Sequence, residues 1–164
     1  VISILNSKGE QLYIDGFNNI NTTQTIDRLM GIIKPHLHQI VTITAETNSI
    51  GKPFTDLLTE KLPLNQQHKV QGFTTTNTSK GELVSDLQVA FQQGNITILE
   101  EEKQLRQLSV YSAEYNPKTK NVTYNAPRGL HDDRVMALML SYRGYKNKQT
   151  TGYYCLGNTK LGRR

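Results

Sequence analysis

The sequence predicts an α/β domain with a mixed central sheet and helices on both faces. Three observations lead there. Apolar and polar residues alternate on both sides of Asn6-Ser7-Lys8-Gly9, the pattern of an antiparallel hairpin with a short glycine-containing turn. "QIVTITAE" is a β-branched run typical of a strand buried in a parallel or mixed sheet, and "KVQGFTTT" is a second candidate internal strand. Segments of helical periodicity separate these runs, and strands alternating with helices build layered α/β sheets. The opening hairpin makes the sheet mixed rather than all parallel.

The elements follow in order. After the hairpin, Thr23 or Thr25 can cap a helix that carries Ile26, Leu29, Met30, Ile32 and Ile33 on one face and ends near Pro35. "QIVTITAE" then ends at Glu46. Beyond "TNSIG", Pro53 suits the first residue of a helix running to about Lys61, with Phe54, Leu57 and Leu58 inward. "KVQGFTTT" precedes "TSKGELVSDLQVAFQQG", where Ser79 and Glu82 have capping-box spacing. In that segment Leu83, Leu87, Ala90 and Phe91 share a face, and Gly94 is the stop. "NITIL" reads as another strand and "EEEKQLRQLSVY" as a short helix. "SVYSAEYNPKTKNVTYNA" gives two strands around an Asn-Pro turn. A last long helix carries Val135, Met136, Leu138, Met139 and Tyr142 on its core face.

With 164 residues and no compositional break, one domain over residues 1–145 is expected, followed by a basic, flexible tail over 146–164. Lys and Arg outnumber Asp and Glu by 19 to 14, a net charge of +5 that favours an anionic partner such as nucleic acid. One cysteine, Cys155, excludes an internal disulfide framework and a cysteine zinc site, and fits a reducing compartment. No run reaches the roughly 18 apolar residues of a membrane span, so no membrane partner is expected. His36, His38 and His68 lack zinc spacing, and no phosphate-binding Gly-Lys-Ser/Thr loop or serine nucleophile elbow is present. The opening "VISIL" reads as the inside of a strand, so the chain is expected to be a fragment of a longer protein.

Chemistry is expected where strands end and helices begin, because ligands of such sheets bind beyond the carboxyl ends of strands. Glu46 holds that kind of position. In "GLHDDRVMALML", His131, Asp132 and Asp133 crowd the start of an apolar helix. Acids there also complement the helix dipole, which alone explains them. Together with Glu46 they suit a hard divalent cation, which takes oxygen ligands gathered from separate elements. Adjacent helical residues differ by about 100° in direction, so Asp132 and Asp133 cannot be equivalent; Asp133 is preferred as the firmer ligand. His131 either contacts phosphate, moves a proton or orients a carboxylate, or else simply caps the helix. Lys80 either meets phosphate or is an exposed helix-start lysine. Lys118 and Lys120 either touch a DNA backbone or form a soluble turn.

The segments "ITAETNSIGKPFTDLL" and "YNAPRGLHDDRVMALML" resemble the C-terminal nuclease domain of the large terminase subunit of tailed double-stranded DNA phages. The first is similar to that family's acidic strand end, Asn-x-x-Gly turn and helix, and the second to its final acidic motif. The likeness extends over most of residues 1 to 145. It implies an RNase H-like fold and a Mg²⁺- or Mn²⁺-dependent endonuclease, with two ions in the complete site, that cuts concatemeric DNA during packaging in the host cytoplasm. The implied catalytic and metal-binding residues are Glu46, Asp132 and Asp133, with His131 and Asn48 beside them. Implied partners are double-stranded DNA, the terminase ATPase domain, the small terminase subunit and the portal. The family's first catalytic aspartate belongs to a strand preceding "VISIL", so that strand is expected to be missing and this chain alone to cleave weakly or not at all. Other readings are a noncatalytic DNA- or portal-binding remnant and another RNase H-like nuclease such as a junction resolvase.

Overall fold

The computed structural model describes residues 1–48, 51–117, 120–127 and 129–150. The opening hairpin pairs β1 (Ile2–Leu5) antiparallel with β2 (Gln11–Asp15), with Ile2 opposite Asp15. Asn6 builds its turn, the side-chain oxygen accepting from the N–H of Lys8 at 2.9 Å and of Glu10 at 3.0 Å. Gly9 completes it at φ +80°, where any Cβ would also collide with the carbonyl of Asn95.

Helix α1 (Thr22–Ile33) is capped by Asn21 and not by the expected threonines. Asn21 and Gln24 exchange side-chain and backbone hydrogen bonds at 2.9 Å, satisfying two amide donors at once. Strand β3 (Ile43–Glu46) precedes α2 (Gly51–Lys61) and pairs in parallel with β4 (Val70–Phe73). Helix α3 (Asn77–Gln92) likewise starts earlier than Ser79: Thr76 is its cap, with Ser79 as the reciprocal partner. Val84 joins its buried face, while Phe91 is largely exposed.

"NITIL" is not a strand. It makes one isolated bridge, Glu10 with Thr97. Its next backbone groups are claimed by side chains: the Leu99 N–H donates to Gln11 and the Leu99 carbonyl accepts from Gln104, so no ladder extends. Helix α4 (Glu102–Val110), the antiparallel pair β5 (Ser112–Asn116) and β6 (Asn121–Asn125), and α5 (Asp133–Thr150) complete the fold. Because α5 continues to Thr150, residues 146–150 of the expected tail are helical; residues 151–164 lie outside the described residues.

Two apolar clusters flank the strands. One joins Leu83, Leu87 and Ala90 of α3 to Val135, Leu138, Met139 and Tyr142 of α5, and the other joins Ile26, Leu29 and Ile33 of α1 to Leu58 of α2. Strand side chains alternate between them: Ile2, Ile43 and Val70 pack on the α1–α2 cluster, and Leu5 and Phe73 on the α3–α5 cluster. Helices therefore cover both faces of the strands, as the sequence predicts. No single mixed sheet joins the described strands. Among the described residues the strands form three separate pairs, β1–β2, β3–β4 and β5–β6. A cavity of about 920 Å³ is lined by both β1 and β3, which are not hydrogen-bonded to each other.

Candidate functional site

The lining of that cavity includes Glu46, Thr75, Lys80, Asp132 and Asp133. Glu46 is the last residue of β3 and is exposed. The loop after it is tied to the loop after β4: the Thr47 N–H donates to the Phe73 carbonyl at 2.9 Å, the Asn48 side-chain NH₂ to the Thr75 carbonyl at 2.6 Å, and the Thr75 N–H to the Asn48 side-chain oxygen at 2.9 Å. Asn48, expected beside metal ligands, is thus a clip between two strand ends. Thr76 follows directly and caps α3, which fixes where Lys80 emerges.

Lys80 turns inward. Its Nζ lies 3.0 Å from Asp132 Oδ2 and 3.1 Å from Asn125 Oδ1, and 5.7 Å from the centre of the Tyr111 ring. The lysine considered for a DNA contact is therefore committed to a carboxylate inside the protein. Tyr111 donates its hydroxyl to the Tyr124 carbonyl at 3.3 Å. Burial, followed by the charge of Asp132, raises its phenol well above the ordinary tyrosine range, so it stays a neutral donor.

The start of α5 separates its two aspartates. The Met136 N–H donates to the Asp132 carbonyl at 2.9 Å, which puts Asp132 at the helix boundary. Its carboxylate goes to Lys80, and an early amide of the helix, that of Arg134, is satisfied from outside by the Gln107 side-chain oxygen at 2.8 Å. The Arg134 guanidinium also binds Glu101, at 2.9 Å, fastening this end of α5 to α4. Asp133 faces mainly solvent, with its side chain 65% exposed against 27% for Asp132, and its ion-pair partner is the exposed His131 at 3.7 Å. Asp132 is thus the more buried of the two and is paired with a lysine, whereas Asp133 is open to solvent. The His131 side chain is 83% exposed.

Glu46, Asp132 and Asp133 all line the same cavity, as does Thr75, whose hydroxyl finds no hydrogen-bond partner among the described residues. The donor set is nevertheless open: among the described residues, no three His, Cys, Asp or Glu side chains stand close enough to hold a metal ion. As they stand, these residues do not compose a complete metal centre. Lys118 lies outside the described residues. Lys120 is exposed at the β5–β6 turn with φ +56°, away from the cavity lining.

The fold is shared with phage nuclease domains. The large terminase nuclease from thermophilic phage G20c with bound magnesium matches with a TM-score of 0.72 and 20% identity over 86% of this chain and 71% of that one. The same nuclease with bound cobalt gives 0.71 and 20% over 85% and 71%, and the Thermus phage P74-26 large terminase nuclease domain gives 0.68 and 18% over 85% and 68%. No protein-family model matches the sequence, and no curated protein matches it significantly.

Proposed function

We propose that this chain is the RNase H-like nuclease domain of a phage large terminase, a divalent-metal endonuclease that cuts concatemeric double-stranded DNA during packaging. One observation carries the reading: within a fold shared with terminase nucleases, Glu46, Asp132 and Asp133 come from a strand end and a helix start to line the same cavity. Carboxylates so placed are the donors a Mg²⁺ or Mn²⁺ ion takes. The solved relatives carrying magnesium and cobalt support a divalent cofactor. The acids within residues 1–164 form a partial set, and we assign the remaining carboxylate to a strand between β1 and β3. On this reading the partners are double-stranded DNA, the terminase ATPase domain, the small terminase subunit and the portal.

The Lys80–Asp132 ion pair, which places an ammonium on one of the acids, favours a second reading as a noncatalytic DNA- or portal-binding module. One experiment separates the two. An N-terminal extension adding an apolar strand that bears an aspartate is incubated with Mn²⁺ and supercoiled plasmid. The nuclease reading expects nicking that requires the extension and is lost in Asp132→Ala. An extended protein that is inert, or that nicks equally well as Asp132→Ala, overturns it; a strong preference for four-way junctions reassigns the substrate to that of a resolvase.

A further inference from the structure

Three charged residues in a row open α5, and each is held differently. Asp132 has its carboxylate on Lys80, and Asp133 faces the exposed His131 at 3.7 Å. Arg134 turns inward, with 13% of its side chain exposed. A cation in the first turn opposes the helix dipole, so this position calls for a partner. Glu101 supplies it. Arg134 Nε donates to Glu101 Oε2 at 2.9 Å, and the same oxygen accepts the Gln104 N–H at 2.6 Å as the cap of α4. One carboxylate oxygen thus closes the start of α4 and grips the start of α5.

The guanidinium has a further neighbour. A Cβ on Gly16 would stand 2.5 Å from Arg134 Nη2 and 2.7 Å from its Cζ, so the charged group lies against the backbone just beyond β2. Glycine leaves that room. The Arg134 N–H is tied as well, donating to the Gln107 side-chain oxygen at 2.8 Å. Backbone and side chain of one residue therefore fasten this turn to α4 twice and to the opening hairpin once.

Asp133 directly precedes that residue. A carboxylate paired across 3.7 Å with an exposed histidine is barely fixed by that contact, so its place depends on the backbone that carries it. Arg134 anchors that backbone. We infer that Arg134, seated between Glu101 and Gly16, is the positioning residue for Asp133. The inference rests on the nuclease reading for what Asp133 does, and on the contacts alone for how it is held. An ion pair that only added stability would act on the whole of α5 alike. A positioning residue acts on the first turn and, through the placement of an acid, on the rate of the reaction.

Amide hydrogen exchange of the 164-residue chain separates these two roles. The Met136 N–H, which donates to the Asp132 carbonyl, reports the first turn, and that of Leu140 reports the packed helix. Arg134→Gln is expected to speed exchange at Met136 at least about tenfold and to leave Leu140 within about threefold. Gly16→Ala crowds the guanidinium off its seat without removing either charge, and is expected to do the same. Arg134→Gln in a Glu101→Gln background should add nothing further, because one device is already broken. In the extended chain of the nicking assay, Arg134→Gln and Gly16→Ala should each lower the rate at saturating plasmid at least about tenfold, with the half-saturating plasmid concentration unchanged. Equal acceleration at Leu140, a silent Gly16→Ala or additive losses in the double variant overturn the positioning role. So does rapid first-turn exchange with full nicking. An extended chain that does not nick before any of these changes overturns the nuclease reading instead, and the exchange rates still decide whether Arg134 holds the turn.

Discussion

Helix α5 has two sides in different states of completion. Toward α3 it presents Val135, Leu138 and Met139, each at most 1% exposed, against Leu83 and Leu87. Toward β1 and β3 it presents Met136, Ala137 and Ser141 to a cavity of about 920 Å³. The same helix thus forms a finished core on one side and a wall of an unfilled space on the other. Stability should come mainly from the first side, and the second is where added contacts can still be gained. Leu138→Ala is expected to cost about 3 kcal/mol, read as a fall in urea midpoint. Met136 lines the cavity and also packs against the α3–α5 cluster, so Met136→Ala should cost less than Leu138→Ala, about 2 kcal/mol. Equal losses would mean that the cavity is closed in solution and the comparison is wrong.

The border between the two sides is held by polar groups. Gln11 and Gln104, the latter fully buried, exchange amide hydrogen bonds at 2.9 Å in both directions; Gln11 also donates to Ser3, which meets Ser141 of α5. Gln104→Leu leaves the Gln11 amide and the Leu99 carbonyl without their partner, an expected loss of about 2 kcal/mol. Replacing both glutamines by leucine should cost less than the two single losses added together, since neither amide is then stranded. A strictly additive double-mutant cycle would show that the pair is not coupled.

How much of this was legible in the sequence depends on the range of the interaction. Periodicity located the five α-helices of the described residues and the core residues Ile26, Leu58, Leu83 and Leu138, because a helix face is written locally. Caps were misplaced by a few residues at α1 and α3, since several side chains near each helix start can accept an amide and only one is in position. The acids Glu46, Asp132 and Asp133 were visible as residue types at strand and helix ends. Their different partners were not. Lys80 reaches Asp132 across 52 positions and Gln107 caps Arg134 across 27, and neither pairing leaves a local pattern. The split sheet was foreseeable only in part: the opening strand read as internal, but pairing partners are set by the tertiary arrangement.

Gly144 sharpens the cavity side. A Cβ there would stand 2.9 Å from Thr42 Cγ2 and 3.1 Å from Thr44 Oγ1, so α5 approaches β3 through the missing side chain. Gly144→Ala gains helix propensity yet must push β3 away, for a net cost of about 1 kcal/mol. In a Thr42→Ser background the crowding methyl is gone, and the same substitution should become neutral or stabilising. If it remains equally costly, the close approach is not what the glycine serves.

The smallest expected effect probes the packed side through Tyr111, which packs against the α3–α5 cluster. Burial raises its phenol above the ordinary value of 10.0, so the folded protein keeps a proton that the unfolded chain releases in alkali. Its contribution is therefore complete below about pH 10 and is lost as pH rises toward the folded value. Tyr13 and Tyr142 are raised in the same sense, so Tyr111→Phe should make the alkaline decline shallower without removing it. The variant also loses the hydrogen bond to Tyr124, which lowers stability at every pH, so the slope of urea midpoint against pH is the discriminating quantity. An unchanged slope would mean that water reaches Tyr111 and that the dry side of α5 ends before its first turn.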